Sequence, residues 1–189
     1  MTAITKSLYT FEEYLNYEDD PDNRYELVDG KLVLMNPPTF RHILIAKFIE
    51  QELDREINRL QLPWLTIREG GIRTGWRKSR IADLYVVDRE RVMDSLDESG
   101  ILSTPPLLVV EVVSPEAIKR DYRFKRSEYA ALGIFEYWIV DPRSQQVTIL
   151  VLDEGLYEET VFTFGRELVS PTFKDIKLTT QQIFNANHF

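Results

Sequence analysis

The sequence predicts a mixed α/β fold, a mixed β-sheet flanked by helices, on three observations. Helical and strand patterns alternate along the chain instead of segregating. Arg41–Leu60 carries apolar residues at 45, 48, 49, 53, 57 and 60, the spacing of one helix face. "LLVVEVV", residues 107–113, is apolar on both faces, as a central strand is. A chain of 189 residues can bury a substantial core, and no repeat or linker divides it, so 1–189 reads as a single domain.

Each element has a local cause. "TFEE" at Thr10–Glu13 is a capping box opening a short helix that ends near "YEDDPDN". "RYELVDGKLVLM" reads as two strands joined by Asp29-Gly30, a strong hairpin signal. The long helix follows the "NPP" turn. "WLTIREGGIRTG" is strand material interrupted at Gly70-Gly71, and "SRIADLYVVD" reads as one further strand ending at Asp88. An acidic loop leads to "TPPLLVVEVVSP". A helix then runs from about Ala117 or Asp121 to Leu132, where Gly133 stops it. "EYWIVDP", "QQVTILVLDEG" and "LYEETVFTF" read as strands, the last two as a hairpin, and "LTTQQIFNA" as a short helix.

Charge and composition exclude several classes. A net charge of −8 argues against a broad, non-specific nucleic-acid binder, though not against a local basic patch. Without Cys there is no disulfide or thiolate site, and two distant histidines, His42 and His188, argue against a His-rich zinc site as the lack of Cys does against a structural zinc. There is no basic leader with an apolar core and no long apolar run, so a cytoplasmic protein without membrane partners is expected. Walker-type loops, GxGxxG and GxSxG are absent.

Four side chains carry the chemistry. Glu111 stands among valines, sharing a face with Leu107, Val109 and Val113. A buried carboxylate must be paired or metal-bound, so either a cation held with Asp83 or an ion pair to an Arg accounts for it. Asp83 shares a face with Ile81, Tyr85 and Val87, and on a neighbouring strand its carboxylate could converge with that of Glu111; a solvated strand charge is the plainer reading. Two carboxylates with waters are what proteins contribute to a Mg²⁺ site. Lys125 falls on the helix face of Asp121, Tyr122, Tyr129 and Leu132, aimed at those carboxylates or else paired at the surface with Asp121. Glu26, near the hairpin, reads by itself as an outward strand charge. His42 opens the long helix on the side of Ile45, Ile49 and Leu53, as a capping or core histidine.

"YELVDGKLVLMNPPTFRH", "IADLYVVD", "LLVVEVVSPE", "DYRFKRSEYAALGI" and "EYWIVDP", in this order and spacing, resemble the Uma2 family, also called DUF820, of the PD-(D/E)XK nuclease superfamily. The resemblance covers nearly the whole chain, about 9–185. It implies a restriction-endonuclease-like core and a Mg²⁺-dependent (or Mn²⁺-dependent) phosphodiesterase site acting on DNA. By motif, Asp83 and Glu111 match the acidic metal ligands, Lys125 looks like the lysine displaced from strand to helix, and Glu26 resembles an acidic residue often placed near the metal. Two positions depart from the superfamily's signature. Ala82 stands where a proline is expected, and Val113 where the strand lysine would be.

The expected function is therefore a metal-dependent DNA endonuclease, with the basic run Arg68, Arg73, Arg77, Lys78 and Arg80 as the phosphate-contacting strip. The rival is a non-catalytic nuclease-fold protein acting as an interaction or regulatory module, which the net charge favours. A hydrolase of another phosphate ester is not separated from the first by sequence. A homodimer is expected by analogy with nucleases that pair to cut two strands.

Overall fold

The computed structural model describes residues 8–18, 23–114 and 120–186, the side chains of residues 120 and 121 excepted. His188 and the start of the predicted helix at Ala117 lie outside the described residues, as does the side chain of Asp121.

Local signals act where they were expected. Thr10 caps α1 (Phe11–Leu15), and the Glu13 carboxylate in turn accepts from the Thr10 backbone N–H. β1 (Tyr25–Val28) and β2 (Lys31–Leu34) pair antiparallel around Asp29 and Gly30. Both turn residues have positive φ, at 50° and 82°, which is what a tight hairpin turn of this hand demands. The long amphipathic helix is α2 (Phe40–Leu60), capped by the Thr39 hydroxyl, with Ile45, Ala46, Ile49, Leu53 and Ile57 buried. Each large aliphatic side chain on that stripe contributes about 1.5–3 kcal/mol by leaving water.

The single sheet expected from sequence is in fact two. β3 (Trp64–Arg68) and β4 (Gly71–Gly75) separate at Glu69-Gly70, and "SRIADLYVVD" divides into β5 (Lys78–Ile81) and β6 (Leu84–Asp88). A five-stranded sheet has the order β2-β1-β5-β4-β7, where β7 is Ile101–Leu102. A six-stranded sheet has the order β11-β10-β9-β8-β6-β3. Its remaining members are β8 (Leu108–Val112), β9 (Glu136–Asp141), β10 (Gln146–Asp153) and β11 (Leu156–Phe162). Within residues 64–88 the chain thus changes sheets twice, at 69–70 and again at Ala82-Asp83. Alternation alone cannot reveal such a break, because the apolar pattern runs through it.

Both sheets are mixed. β4 and β7 are parallel in one, β8 and β9 in the other, and the remaining pairs are antiparallel. The acidic loop contains a short α3 (Arg89–Met93), and α5 (Thr180–Phe184) closes the fold behind a Thr179/Gln182 capping box.

Two cores result. On one face of the six-stranded sheet, α2 packs Ile45, Ile49, Leu53 and Ile57 against Leu84, Val86, Leu108, Val110, Val112 and Trp138. On the other face Tyr85, Val87, Val109, Val113, Tyr137 and Ile139 meet Ile72 of β4 and Tyr129 of α4 (Arg126–Leu132). Leu107 lies one residue before β8 and packs with the first core, so it does not share the Glu111 face as alternation had suggested. The parallel β8–β9 pair returns through a π-helical segment, Arg120–Lys125, which continues directly into α4 and ends at Gly133 with φ 85°.

Candidate active site

The break between β5 and β6 positions the site. Extending the β6–β8 register (Leu84↔Val110, Tyr85↔Val109) by one residue sets Asp83 opposite Glu111. Once β6 has ended, the backbone N–H of Val112 has no strand partner on that side. Asp83 turns its side chain back to supply one, accepting from Val112 N at 2.7 Å through Oδ2. The other carboxylate oxygen, Oδ1, lies 3.0 Å from His42 Nε2. His42 sits in the first turn of α2, its own N–H taken by the Thr39 cap. Asp83 is therefore held where β5 gives way to β6, by the helix through one oxygen and by the β8 backbone through the other.

Glu111 is 3% exposed. Its Oε1 accepts from the Tyr129 hydroxyl at 2.8 Å and lies 2.7 Å from Lys125 Nζ. The sequence left open an Arg partner, and the observed partner is the lysine. Burial first, and then the charge of Glu111, push the Tyr129 hydroxyl well above the ordinary tyrosine range, so it stays protonated and donates. Lys125, 1% exposed, stands where the π-helical segment meets α4. Its helix face is the expected one, since Tyr122, Tyr129 and Leu132 all belong to the second core. Its ammonium also lies 3.3 Å from the Ile81 carbonyl and 3.4 Å from Glu26 Oε1. Val113, at the position of the signature's strand lysine, is 4% exposed and packs in that core.

Glu26 is not the outward charge that its strand suggested. It is fully buried, enclosed by Arg80 and Ile81 of β5 and by Lys125. Oε2 accepts from Arg80 Nη1 at 3.0 Å, and Oε1 accepts from the Ile81 backbone N–H at 3.2 Å. Arg80, 2% exposed, also donates through Nε and Nη2 to the two oxygens of Glu128, at 2.7 and 2.6 Å. Burial works against its charge, but the hydrogen bonds to Glu128 and the charges of Glu26 and Glu128 outweigh it and raise its pKa above the ordinary value. An arginine so enclosed cannot belong to an exposed phosphate-contacting strip. The rest of that run is more open. Arg73 stacks on Phe11 at 4.1 Å, and Arg77 lies 5.2 Å from the ring of Trp76, itself 74% exposed at the β4–β5 turn. Lys78 pairs with Asp29 at 3.0 Å, and Arg68 lies 3.8 Å from Glu50.

The structure thus brings Glu26, Glu111 and Lys125 into one buried ion-pair cluster, while the partners it gives Asp83 are His42 and the Val112 N–H. Sequence reasoning missed Glu128, Arg80 as a buried partner, and His42 as a partner of Asp83. His42 had left a signal, its place on the apolar stripe of α2. Arg80 had left none, because a buried arginine inside a basic run looks like its neighbours. Among the described residues no three His, Cys, Asp or Glu side chains are grouped to hold a metal ion. The donor set suits a hard cation that takes one or two carboxylates and fills its remaining positions with water, as Mg²⁺ does.

Comparison with known proteins agrees with this architecture. Searching curated proteins finds no match. Among solved structures, the chain is similar to the crystal structure of a "putative nuclease belonging to DUF820" from Anabaena variabilis ATCC 29413. The TM-score is 0.77 at 20% identity, over 94% of this chain and 98% of that one, a likeness of fold. The Uma2 family model, described as "putative restriction endonuclease", matches residues 11–181. With a match of that extent, the chain belongs to the Uma2 family.

Proposed function

We propose that the protein is a Mg²⁺- or Mn²⁺-dependent endonuclease that hydrolyses DNA phosphodiester bonds, with Asp83 and Glu111 as the metal-holding carboxylates. The observation that carries this reading is the 2.7 Å contact between Lys125 Nζ and Glu111 Oε1, made by a lysine that reaches the carboxylate from the helix. A fixed cation next to a metal-binding carboxylate is the arrangement that phosphoryl chemistry requires, because charge develops on the phosphate oxygens as the bond breaks. When bound, the metal supplies Lewis acidity and lowers the pKa of a bound water.

The remaining roles fall to the chain. Lys125 stabilises the developing charge or orients the attacking water. Glu26 fixes Lys125 from the far side, and its burial makes it a counter-ion more readily than a ligand. Tyr129 orients Glu111, and His42 with the Val112 N–H orients Asp83. Arg73, Arg77 and Lys78 are the phosphate contacts, and Trp76 between them offers a face on which a base can stack. Among the described residues no helix is long and apolar enough to cross a membrane. A homodimer would present one site to each strand.

Thermal unfolding with and without Mn²⁺ tests the site. A ligand at about 100 times its Kd stabilises the native state by about 2.7 kcal/mol, a rise of several degrees for a chain of this size. Asp83→Ala and Glu111→Ala should each abolish the rise, and a rise that survives both sinks the assignment. Assays on single- and double-stranded DNA, with Lys125→Met as control, test the chemistry.

One observation favours a second reading, a non-catalytic module that keeps the nuclease fold. Both oxygens of Asp83 already have protein partners, and no group of three acidic or imidazole ligands forms among the described residues. A protein that ignores both metals and cleaves no DNA would favour it.

A further inference from the structure

We infer that Arg80 is a positioning residue for Lys125, acting as a strut between β5 and α4 through Glu128 and Glu26; the inference rests on the nuclease reading above. Lysine is a flexible stem ending in a point charge, so its partners and its helix must fix where the ammonium sits. Two carboxylates compete for Lys125. Glu111 holds it at 2.7 Å, while Glu26 lies farther away at 3.4 Å. Arg80 biases that competition. Its Nη1 draws Glu26 Oε2 at 3.0 Å, which satisfies part of the Glu26 charge away from the lysine.

The second route runs through the helix. Glu128 follows Lys125 by three residues, so the two lie on the same side of one turn. The fork of Arg80 grips both oxygens of Glu128, at 2.7 and 2.6 Å, and Thr74 Oγ1 donates to Oε2 at 2.8 Å. The first turn of a seven-residue helix is thereby tied to β4 and β5, directly after the π-helical segment that presents Lys125. The side-chain partners of Arg80 are Glu26 and Glu128, and its effect on chemistry passes through the lysine. A displacement of about 1 Å at a reacting group can cost roughly a hundredfold in rate.

Arg80→Ala would strand the buried Glu26 and the partly buried Glu128 and risk unfolding, so the test uses Glu128→Gln and Arg80→Lys. Glu128→Gln should lower kcat on DNA by about tenfold or more, with KM and the Mn²⁺-induced rise in Tm unchanged, and Arg80→Lys should act in the same direction. In a Lys125→Met background Glu128→Gln should cause no further loss of kcat, although its cost in Tm persists. An equal loss of kcat in both backgrounds would overturn the strut and leave the nuclease reading standing. Acetylation of Lys125, followed by mass spectrometry, gives a readout that needs no activity. The folded wild type should be modified slowly and Glu128→Gln at least tenfold faster. Equal rates overturn the strut; a faster rate in a protein that cleaves no DNA upholds it while the nuclease reading fails.

Discussion

His42 Nε2 lies 3.0 Å from Asp83 Oδ1, joining the first turn of the long helix to the point where the chain passes from one sheet to the other. With the Val112 N–H on the second oxygen, both ends of the carboxylate are fixed before any cation arrives. Groups that orient a metal ligand in this way are typically worth about 10–100-fold in metal affinity. His42→Ala should therefore require a correspondingly higher Mn²⁺ concentration to reach the wild-type rise in Tm. An unchanged Mn²⁺ titration would show that Asp83 needs no help from the helix.

Lys125→Met keeps the length of the stem and removes its charge. Glu111 then keeps the Tyr129 hydroxyl as a partner but loses its cation, while Glu26 keeps Arg80. Breaking a buried ion pair from one side typically costs about 3–5 kcal/mol, and the retained partners place this variant at or below the lower end. Urea unfolding at neutral pH measures it, together with loss of cleavage. A variant as stable as wild type would mean that the carboxylates had already found other compensation.

Gly70 is required by a close approach. A Cβ at this position would lie 2.5 Å from the Tyr85 hydroxyl oxygen and 2.6 Å from its ring carbon Cε1. Gly70→Ala should cost about 1–3 kcal/mol, the usual range for overpacking a dense core. Tyr85→Leu should cancel part of that cost in the double variant. Strict additivity of the two losses in Tm would contradict the contact.

Tyr85 also sets a pH dependence. Burial pushes its hydroxyl from 10.0 up to about 12. Because the folded value is the higher one, its contribution to stability is complete below pH 10 and is lost as pH rises towards 12, by up to about 3 kcal/mol. Tyr157, raised by burial and only partly relieved by Arg126, adds to the alkaline loss. Tyr85→Phe should therefore flatten the fall in Tm above pH 10 while changing little at pH 7. A curve parallel to that of wild type would place the alkaline sensitivity elsewhere.

What was legible in the sequence was what short-range physics decides. The α1 capping box, the Asp29-Gly30 turn, the stripe on α2 and the stop at Gly133 all depend on residues within a few positions of one another. The convergence of Glu111 with Lys125 was legible for a related reason, since a charge without a polar face and a lysine on an apolar face each had to find a partner. Hidden from sequence was whatever tertiary pairing decides. "SRIADLYVVD" alternates smoothly, yet its halves join different sheets, and Asp83 lies in the gap instead of within a strand. Arg80 and Glu26 face each other because β1 and β5 align Leu27 with Ser79, a register fixed by strands far apart in sequence.

The π-helical segment that ends at Lys125 gives the lysine a phase as well as a place. Each residue advances an α-helix by about 100°, and a π turn absorbs one more residue than an α turn. Removing a single residue between 120 and 124 should restore an ordinary helix and leave Gly133 and the crossover to β9 intact. Lys125, anchored through Glu128 to β4 and β5, would keep its place, and the residues before it would come round by about 100°, like a clock hand set more than a quarter-turn wrong.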